Sequence, residues 1–564
     1  MTKTNNMKNT LSLIFLLCYS LVITAQDGRK LYEIAENIPN ETVYVHINTS
    51  LPFVGEYLYF KIYCLQAATN KPSSVSKIAY LELVNDKRET VYSQTVDLEN
   101  GVGYGDYFLP TKISSGNYKL LAYTSWMRNN ARIKYFEQDI FIINPYTSAQ
   151  ANIRRDSINY KKIPSDFEDI SGKVLLDKNN FKNREKVNVK FPELKEGIYS
   201  VSVRQKDSLP HPEIADANNV DTSVKYSGEE NYFIPDLRGK LLKGKLTSNS
   251  GSNPGNVKVA FTVPGKDYFL RISNTDESGN FYFSIDENFV NEKALVQVLD
   301  NGTTDYEITM EEPAGPEVNN LKFKEFGIDS LARQMIVDRS IQNQIENAYF
   351  SLKPDTVKVN RPENLFEGID QIIYDLDDYT RFETLRETFT EVIPYARVRK
   401  VNGKFEFGVL GLPPYENFLG DPLVIVDGVP LRDADGFIYG YEASKIDKIK
   451  IIRNKYYLGG AVFKGVIIIE TINSNFTEDY TRDYLKEIEL TSGNVRKNYF
   501  QQNYELDTQE NIPDYRSQLL WLPMLEKNSF QFYTSDVDGI FEISVQGFTD
   551  EGDPVSLKRS FLVK

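Results

Sequence analysis

The stretch that decides the fold class is residues 41–65, ETVYVHINTSLPFVGEYLYFKIYCL. Residues 42–47 alternate as a strand does, and Pro52 to Glu56 then turn the chain into a second strand that begins at Tyr57. Strand–turn–strand units of this kind continue to residue 145, which amounts to about seven short strands. The pattern predicts an antiparallel β-sandwich.

Composition supports the same fold class. The 564 residues include 36 Tyr, 33 Phe, 33 Gly and 24 Pro. Aromatic residues favour strands while Gly and Pro mark turns, so many short strands are expected. The length predicts several domains, each with its own core. The formal net charge of −14 argues against a nucleic-acid partner bound through its phosphates.

Histidine and cysteine are scarce, which constrains the chemistry. The chain has 2 His and 2 Cys, and His46 and His211 lie 165 positions apart (211 minus 46). A zinc site needs several ligands at short spacing, and a Ser/His or Cys/His unit would depend on these two histidines. The sequence therefore predicts no catalytic residue, no metal site and no cofactor. Cys64 is expected to be a buried, inert thiol, with an intermolecular bridge as the alternative.

Carboxylate chemistry is the enzymatic alternative that composition leaves open. Asp375, Asp377 and Asp378 form an acidic cluster, but such runs are usually solvated faces or helix caps. A glycosidase needs two carboxyl groups roughly 5–10 Å apart across a cleft, and no catalytic-domain resemblance accompanies the cluster. Asp536 and Asp538 lack the twelve-residue loop and terminal Glu of a calcium-binding hand. The protein is therefore expected not to be an enzyme.

The N-terminus is predicted to be an export signal. Lys3 and Lys8 precede an apolar run over residues 11–23, and Ala25 offers a small-residue cleavage point. Cleavage there would leave 63 basic residues (65 minus 2) against 79 acidic ones, a net charge of −16. Cys18 is interpreted as part of the apolar run, because bulky Leu precedes it where a lipidation motif needs a small residue. No later stretch is apolar enough to predict a transmembrane helix.

The segment 41–145 also carries family motifs. They are PFVGE at 52–56, GVGYGDY at 101–107, SGNY at 115–118 and AYTSWMR at 122–128. In order and spacing these motifs resemble the second macroglobulin-type domain of alpha-2-macroglobulins and of many exported proteins of Bacteroidota. The resemblance implies an antiparallel sandwich of that type.

Two further segments resemble β domains, and one predicts a helix. Residues 199–203, YSVSV, resemble a strand of another macroglobulin-type domain, and the polar residues 208–231 are expected to form a loop. Residues 237–299, with TDESGNFYF at 275–283, resemble the transthyretin-like, carboxypeptidase-regulatory sandwich, a name that implies no peptidase activity. The apolar spacing over 329–349 predicts the clearest helix, which is expected to link the two halves of the molecule.

The most informative segment is 379–471. It contains DPLVIVDGVP at 421–430, IDKIKII at 446–452 and GVIIIET at 465–471. With a helix predicted over 381–392, it closely resembles the plug domain of TonB-dependent receptors, particularly nutrient importers of Bacteroidota. A receptor would continue into a barrel of about 22 strands. Only 93 residues follow this segment (564 minus 471), so it is expected to act as a free α+β module.

The C-terminal region resembles a macroglobulin segment as well. IPDYRSQLLWLP at 512–523 and YTSDVDGIFEI at 533–543 match the segment that precedes the thioester region in that family. Trp521 is interpreted as a buried anchor rather than a ligand-stacking residue. The sequence has no Cys followed by Gly-Glu-Gln, so covalent trapping of proteases is excluded.

The predicted fold is mainly β, with tandem antiparallel β-sandwiches of macroglobulin or immunoglobulin-like type, one linking helix and an α+β plug-like domain. The expected domains are a signal peptide (1–25), a macroglobulin-type sandwich (26–146), a second macroglobulin-like β domain (160–236), a transthyretin-like sandwich (237–310), a helical linker (320–352), a plug-like domain (353–475) and a C-terminal macroglobulin-like β region (476–564).

The leading functional hypothesis is a non-catalytic, exported scaffold or accessory subunit of an outer-membrane protein complex. Its expected partner is an outer-membrane β-barrel protein or its accessory subunits, in a receptor-type importer, a secretion translocon or the barrel-assembly machinery. Sheet edges would supply contacts, including strand addition. The expected location is outer-membrane-associated, periplasmic or at the cell surface. The alternative is a macroglobulin-like protease-binding protein, with 208–231 as the bait loop, or a glycan-binding adhesin that uses exposed aromatic residues.

Overall fold

The structure is a computed structural model of the 564-residue chain. It describes residues 38–129, 135–147, 173–207, 209–220, 233–248, 250–286, 293–299, 306–311, 315–324, 327, 332–358, 364–413, 418–419, 421–490, 493, 495–505 and 512–564. The predicted signal peptide, residues 1–25, lies outside these described residues.

The described residues form many short strands. They are β1 (Glu41–Ile47), β2 (Tyr57–Gln66), β3 (Ile78–Asn85), β4 (Thr90–Asp97), β5 (Val102–Phe108), β6 (Gly116–Tyr123), β7 (Phe136–Ile142), β8 (Leu175–Leu176), β9 (Asn180–Phe181), β10 (Lys186–Lys190), β11 (Gly197–Gln205), β12 (Lys240–Ser248), β13 (Lys258–Val263), β14 (Phe269–Asn274), β15 (Asn280–Ile285), β16 (Lys293–Val298), β17 (Tyr306–Glu311), β18 (Thr356–Val357), β19 (Ile372–Asp375), β20 (Ala396–Val401), β21 (Lys404–Leu410), β22 (Phe418–Leu419), β23 (Leu423–Val426), β24 (Val429–Pro430), β25 (Ile446–Ile452), β26 (Tyr456–Leu458), β27 (Ala461–Phe463), β28 (Val466–Thr471), β29 (Lys486–Glu489), β30 (Lys497–Asn498), β31 (Gln518–Leu522), β32 (Ser529–Tyr533), β33 (Gly539–Thr549) and β34 (Pro554–Val563). The α-helices are α1 (Arg333–Ala348), α2 (Leu385–Glu391), α3 (Ala434–Gly440) and α4 (Phe476–Asp479).

The chain divides into two compact units. Unit 1 contains residues 1–237, 316–358 and 494–564, and unit 2 contains residues 238–315 and 359–493. Unit 2 is therefore inserted in the sequence of unit 1, which the chain leaves and re-enters twice.

The first sandwich of unit 1 confirms the prediction of seven short strands. One sheet has the order β1-β2-β5 and the other β4-β3-β6-β7, and every pairing is antiparallel. Their facing apolar side chains form one core, in which Cys64 is fully buried as a free thiol. The predicted inert environment of Cys64 is confirmed.

Strand β2 is buried on both faces. Leu58, Phe60 and Ile62 enter the apolar core of the first sandwich. The alternate residues Tyr59 and Lys61 lie on the opposite face, because successive side chains of a strand point to opposite sides. This second, polar face contacts the other sandwich of unit 1.

The second sandwich is built from two distant parts of the chain. Its larger sheet has the order β31-β11-β33-β34-β9 and its smaller sheet the order β32-β10-β8. The sequence-based division placed 160–236 and 476–564 in separate domains, whereas the structure pairs β11 with both β31 and β33. Local patterning predicts each strand, but pairing over more than 300 residues depends on which faces remain unburied, and the sequence pattern does not contain that information.

Helix α1 confirms the helix predicted over 329–349 and belongs to unit 1. Its side chains cap a turn of the first sandwich: Asn343 donates to the carbonyl of Val54 at 3.1 Å, and Asn347 donates to that of Gly55 at 2.9 Å. Gly55 has a φ of +89°, and a Cβ there would lie 2.8 Å from the Asn343 amide, so glycine permits both the turn and the close approach of the helix.

Unit 2 contains a further sandwich, in the region predicted as transthyretin-like. Its sheets have the orders β15-β12-β17 and β14-β13-β16-β29, with a Phe-rich core that includes Phe261, Phe281 and Phe283. Strand β29 comes from the predicted C-terminal region, and it pairs antiparallel with β16 in this sandwich.

The remainder of unit 2 is an α+β module. Its sheet has the order β19-β25-β28-β23-β24, and β23 runs parallel to β28. The predicted Asp-Gly turn joins β23 to β24 with positive φ at Asp427 (45°) and Gly428 (88°). The Asp427 carboxylate accepts hydrogen bonds from Thr471 and from the backbone N–H of Phe476, which fixes the turn to β28 and α4. The helix predicted over 381–392 is α2, capped by Thr384.

The fold is therefore mainly β, with several separate antiparallel sheets and a small number of helices, as the sequence predicts. Within the described residues, none of the helices combines the length and the apolar character needed to cross a membrane.

Candidate functional site

Unit 1 contains a concave site with a volume of about 150 Å³, here called the α1 cavity. Strand β2 contributes Tyr57 and Tyr59 to its wall, helix α1 contributes Arg339, and strands β11 and β31 contribute Arg204 and Trp521. The first sandwich, the second sandwich and helix α1 therefore each supply part of the cavity wall.

A column of rings forms one wall of the α1 cavity. Phe350 stacks on Tyr57 with a centroid separation of 5.9 Å, Tyr57 on Tyr59 at 5.7 Å, and Tyr59 on Trp521 at 5.9 Å. His46 continues the column beyond Trp521 at 5.2 Å. Tyr57 and Tyr59 can both join it because they are two residues apart on one strand and share a face. We call these five residues the aromatic column.

Buried ion pairs hold the base of the α1 cavity. Arg339 donates to both carboxylate oxygens of Glu56 at 2.7 Å and also bonds Asp207, and Arg204 donates to Glu56 at 3.1 Å. Burial alone would raise the pKa of Glu56, but Arg339 and Arg204 outweigh it and lower this pKa to about 2. The four charges sum to zero.

A second charge network lies at the other end of helix α1. Lys353 contacts Glu346 at 2.7 Å and Asp514 at 3.3 Å, and Arg516 donates to both oxygens of Asp514. Burial would raise the pKa of Asp514, and the cations around it, with Arg516 the strongest, instead place that pKa well below its usual range. These cations are therefore neutralised by carboxylates of the chain itself.

Both histidines line a second cavity of about 100 Å³, which we call the histidine cavity. His46 is buried and its Nδ1 lies 2.7 Å from Ser200 Oγ, while His211 is exposed at the edge. Burial, and secondarily the nearby Lys61 and Lys558, lower the pKa of His46 to about 3. The sequence placed these two histidines far apart, and the fold brings them to one cavity that shares Arg204 with the α1 cavity.

The His46–Ser200 contact has the geometry of a nucleophile–base pair, but its surroundings favour a structural role. Ser200 is fully buried, and its hydroxyl also lies 2.9 Å from the Tyr63 hydroxyl and 3.4 Å from the carbonyl of Gln546. A nucleophile needs access to substrate and a base whose pKa lies near neutrality. Neither condition is met here.

Lys61 is the most unusual charge-bearing residue of this region. Its side chain is fully buried, and its Nζ donates to the carbonyl of Tyr199 at 3.3 Å and to Met524 Sδ at 3.1 Å. The same Nζ lies 4.6 Å from the centre of the Tyr63 ring. Burial lowers the pKa of Lys61 well below its usual value.

Two donors that belong to residues lining the α1 cavity have no hydrogen-bond acceptor within the part of the chain that the structure describes. They are the indole N–H of Trp521 and the Nε–H of Arg204, both on buried residues. Strand pairing places Trp521 directly opposite Ser202, two residues from Arg204. The two donors therefore lie on one face of the same sheet.

The acidic clusters considered from the sequence are compensated by cations. Carboxylate oxygens of Asp375, Asp377 and Asp447 lie within 4.8 Å of one another, but Lys448 contacts Asp375 at 2.7 Å and Arg381 contacts Asp377. Asp378 forms part of a short 3₁₀ turn instead. In the C-terminal region, Asp536 is held at both oxygens by Arg184, each at 2.7 Å.

The proposed bait loop, residues 208–231, is described only over 209–220. In that part Leu209 and Ala217 are buried, and the backbone N–H of Ala217 donates to Gln546 at 3.2 Å. This half of the segment is anchored to both sandwiches of unit 1, since Leu209 packs against the first sandwich and Ala217 bonds the second. Residues 208 and 221–231 lie outside the described residues.

Sequence reasoning identified Trp521 as a buried anchor, and the structure confirms its burial. It did not identify Arg204, Arg339 or the ring pair Tyr57 and Tyr59 as parts of a site. One signal was available: on β2 the sequence alternates Tyr or Lys with the apolar residues Leu58, Phe60, Ile62 and Cys64, which predicts two different buried faces. The residues that cover the polar face of β2 lie in distant segments of the chain. The sequence pattern of β2 therefore could not identify them.

No family model matches the chain, and no curated protein matches it. Solved structures that match include a trypsin-activated alpha-2-macroglobulin from Escherichia coli, with 10% identity over 93% of this chain and 42% of that chain, at a TM-score of 0.23. A Salmonella alpha-2-macroglobulin reacted with methylamine matches at 9% identity over 93% and 40%, also at 0.23. The Yersinia pseudotuberculosis adhesin InvE matches at 10% identity over 48% and 59%, at 0.14. This chain spans about two fifths of the macroglobulin structures. With TM-scores this low, these structures do not define the function of the chain.

Proposed function

We propose that the protein is a non-catalytic, exported scaffold that acts through protein–protein contacts, with an outer-membrane β-barrel protein or its accessory subunits as partner. The observation that carries this proposal is the hairpin β26–β27 of unit 2, which presents apolar side chains to solvent. Tyr457 is 70% exposed and Val462 is 55% exposed, and the two lie directly opposite each other in the hairpin.

The hairpin is held firmly enough to act as a contact surface. Tyr456 and Leu458, on its other face, pack into an apolar cluster with Phe366, and the Tyr456 hydroxyl donates to the carbonyl of Leu365 at 2.8 Å. Exposed apolar residues on a rigid support are typical of protein-interaction sites. Strand β19 offers a second contact surface, because Ile373 is exposed on it and β25 is its single strand neighbour within the described part of the chain.

The test is affinity purification of the tagged, full-length protein from outer-membrane fractions at native expression, with cross-linking mass spectrometry. We expect recovery of a β-barrel protein, with cross-links to unit 2. The variant Tyr457→Lys/Val462→Lys should lose this partner, because charged side chains oppose burial of the hairpin. Tyr146→Lys changes a residue of unit 1 that is also exposed, and it should retain the partner. Recovery of a free monomer, or equal capture by the hairpin variant, would contradict the proposal.

The second candidate function is protease binding of the macroglobulin type. It is favoured by the seven-stranded sandwich β1–β7, which lies where the sequence resembles a macroglobulin domain. Limited proteolysis with trypsin and elastase tests it. A protease-binding protein should be cut within the candidate bait loop, residues 208–231, and then become more compact in small-angle scattering. Cleavage elsewhere, or cleavage without compaction, argues against this function.

A further inference from the structure

The polar face of strand β2 brings a lysine amine against a methionine sulfur. The Nζ of Lys61 lies 3.1 Å from the Sδ of Met524, a residue 463 positions later in the chain. Lys61 is fully buried, whereas the side chain of Met524 is 43% exposed. The two atoms are therefore in contact, and a small reagent in solvent meets the methionine side chain before the lysine.

Both side chains are held in place by backbone hydrogen bonds. Lys61 lies in the middle of β2, which is paired on one side with β1 and on the other with β5. Met524 precedes Leu525, whose N–H donates to the carbonyl of Tyr199 at 3.0 Å. The same carbonyl accepts a hydrogen bond from Lys61 Nζ at 3.3 Å. This shared acceptor keeps the amine and the thioether next to each other.

The environment of Lys61 favours the form of the amine that can act as a nucleophile. A lysine in water is protonated at neutral pH and has no free lone pair. Burial lowers the pKa of Lys61 well below its usual value, and within the described part of the chain no carboxylate forms an ion pair with its Nζ. A neutral amine has a lone pair, and rotation about the Cε–Nζ bond turns that lone pair towards the sulfur.

A thioether becomes an electrophile when it meets a hypohalous acid, HOX. The sulfur attacks the halogen, hydroxide leaves, and a halosulfonium ion forms. Attack of the amine on this sulfur then forms an S–N bond and expels halide, and the nitrogen loses two protons to give a sulfilimine, S=N. One thioether, one amine and one HOX thus yield one sulfilimine, one HX and one water, and the two electrons lost by the sulfur are gained by the halogen.

Water competes with the amine for the halosulfonium ion and gives methionine sulfoxide. Reacting atoms that a protein holds roughly 3–3.5 Å apart react with effective concentrations of about 10⁵ M or more, which exceed the concentration of water itself. The Nζ–Sδ distance of 3.1 Å lies in this range. The folded protein therefore favours the S–N bond over the sulfoxide, and an unfolded chain has no such advantage.

We propose that Lys61 and Met524 form a modification site, at which a hypohalous acid joins them through a sulfilimine bond between Nζ and Sδ. The bond would link β2 of the first sandwich to the segment that follows β31 of the second. The chain has two cysteines, and Cys64 is a buried free thiol, so this link would supply a covalent connection that a disulfide does not. The modification is independent of the protein contacts proposed for unit 2, since both residues belong to unit 1.

The experiment treats the folded, full-length protein with a few equivalents of hypobromous acid at neutral pH and analyses its peptides by mass spectrometry. We expect the peptides that contain Lys61 and Met524 to appear as one joined species, lighter than their sum by two hydrogen atoms. Hydrogen peroxide transfers oxygen without forming a halosulfonium ion, so it should give Met524 sulfoxide, heavier by one oxygen atom. Hypobromous acid added in urea should lower the yield of the joined species roughly tenfold or more.

Matched variants identify the two atoms. Met524→Leu removes the sulfur at an exposed position, and Lys61→Met removes the amine, so each should abolish the joined species. Met310→Leu, at a partly buried methionine of unit 2, should leave its yield unchanged. The proposal is overturned if the folded wild-type protein gives Met524 sulfoxide without the joined species, if the joined species forms equally well in urea, or if it persists in Met524→Leu.

Discussion

The two faces of strand β2 are both buried, but they are stabilised in different ways. On one face Leu58, Phe60 and Ile62 lie in the apolar core of the first sandwich. On the other face Tyr59 and Lys61 contact the second sandwich through rings and hydrogen bonds. Stable burial of the apolar face requires only that its side chains match the core in shape and volume. Stable burial of the polar face also requires a partner for each hydrogen-bond donor and each charge. This difference is consistent with the two cavities that lie beside the polar face.

The apolar face should be the more costly to disrupt. Phe60→Ala removes a fully buried ring and should lower the free energy of unfolding by about 4 kcal/mol, through lost burial and the resulting cavity. Urea denaturation followed by circular dichroism measures this change. Phe108→Ala, on the neighbouring strand and partly exposed, should cost less than about half as much. Equal losses for the two variants would contradict the assignment of Phe60 to the core.

The second-largest loss of stability is expected from breaking the ion pairs at the base of the α1 cavity. Arg339→Met leaves Asp207 and Glu56 buried with one cation fewer, and it should lower the free energy of unfolding by about 3 kcal/mol. Arg333→Met, at the exposed start of the same helix, should change it by less than about 0.5 kcal/mol. The measurement is again urea denaturation. A neutral result for Arg339→Met would mean that helix α1 is not fixed by these charges.

Replacing Lys61 should raise the free energy of unfolding instead of lowering it. Lys61→Met removes a buried amine, and the Tyr199 carbonyl keeps its hydrogen bond from the backbone N–H of Leu525 at 3.0 Å. We expect stabilisation by about 1–2 kcal/mol at pH 7. Since burial lowers the folded-state pKa of Lys61, the unfolded chain binds the extra proton, and wild-type stability should rise between pH 7 and 9.

The Lys61→Met variant should lack this rise between pH 7 and 9. Lys71→Met, at an exposed position, should keep it. A wild-type protein whose unfolding midpoint is flat over this range, or a destabilised Lys61→Met protein, would show that the amine is charged and well solvated in the folded state.

The smallest expected effect concerns His46. Its folded-state pKa of about 3 lies below the unfolded value, so the unfolded chain gains a proton first and stability falls as the pH drops below about 6.5. The loss should approach about 1 kcal/mol per pH unit between pH 6 and 5. His46→Gln should remove this slope, whereas His211→Gln, at an exposed site, should preserve it. Thermal unfolding across this pH range distinguishes the two.

Parts of this structure with local signals were predictable from the sequence. The seven strands of the first sandwich, helix α1 and the Asp427–Gly428 turn each depend on patterns within about ten residues. The α1 cavity was not predictable, because Tyr59, Arg204 and Trp521 lie in three distant segments. The alternation on β2 indicates that a second buried face exists, but not which residues cover it.

The pairing of β11 has a consequence for the order in which the chain can fold. Both neighbours of β11 in its sheet, β31 and β33, are synthesised more than 300 residues later, after the whole of unit 2. The first sandwich can close as soon as β7 emerges, but the polar face of β2 must wait for the C-terminal strands. A chain lacking residues 512–564 should therefore keep a folded first sandwich while exposing Lys61, His46 and Tyr59 on the polar face of β2 to chaperones and proteases.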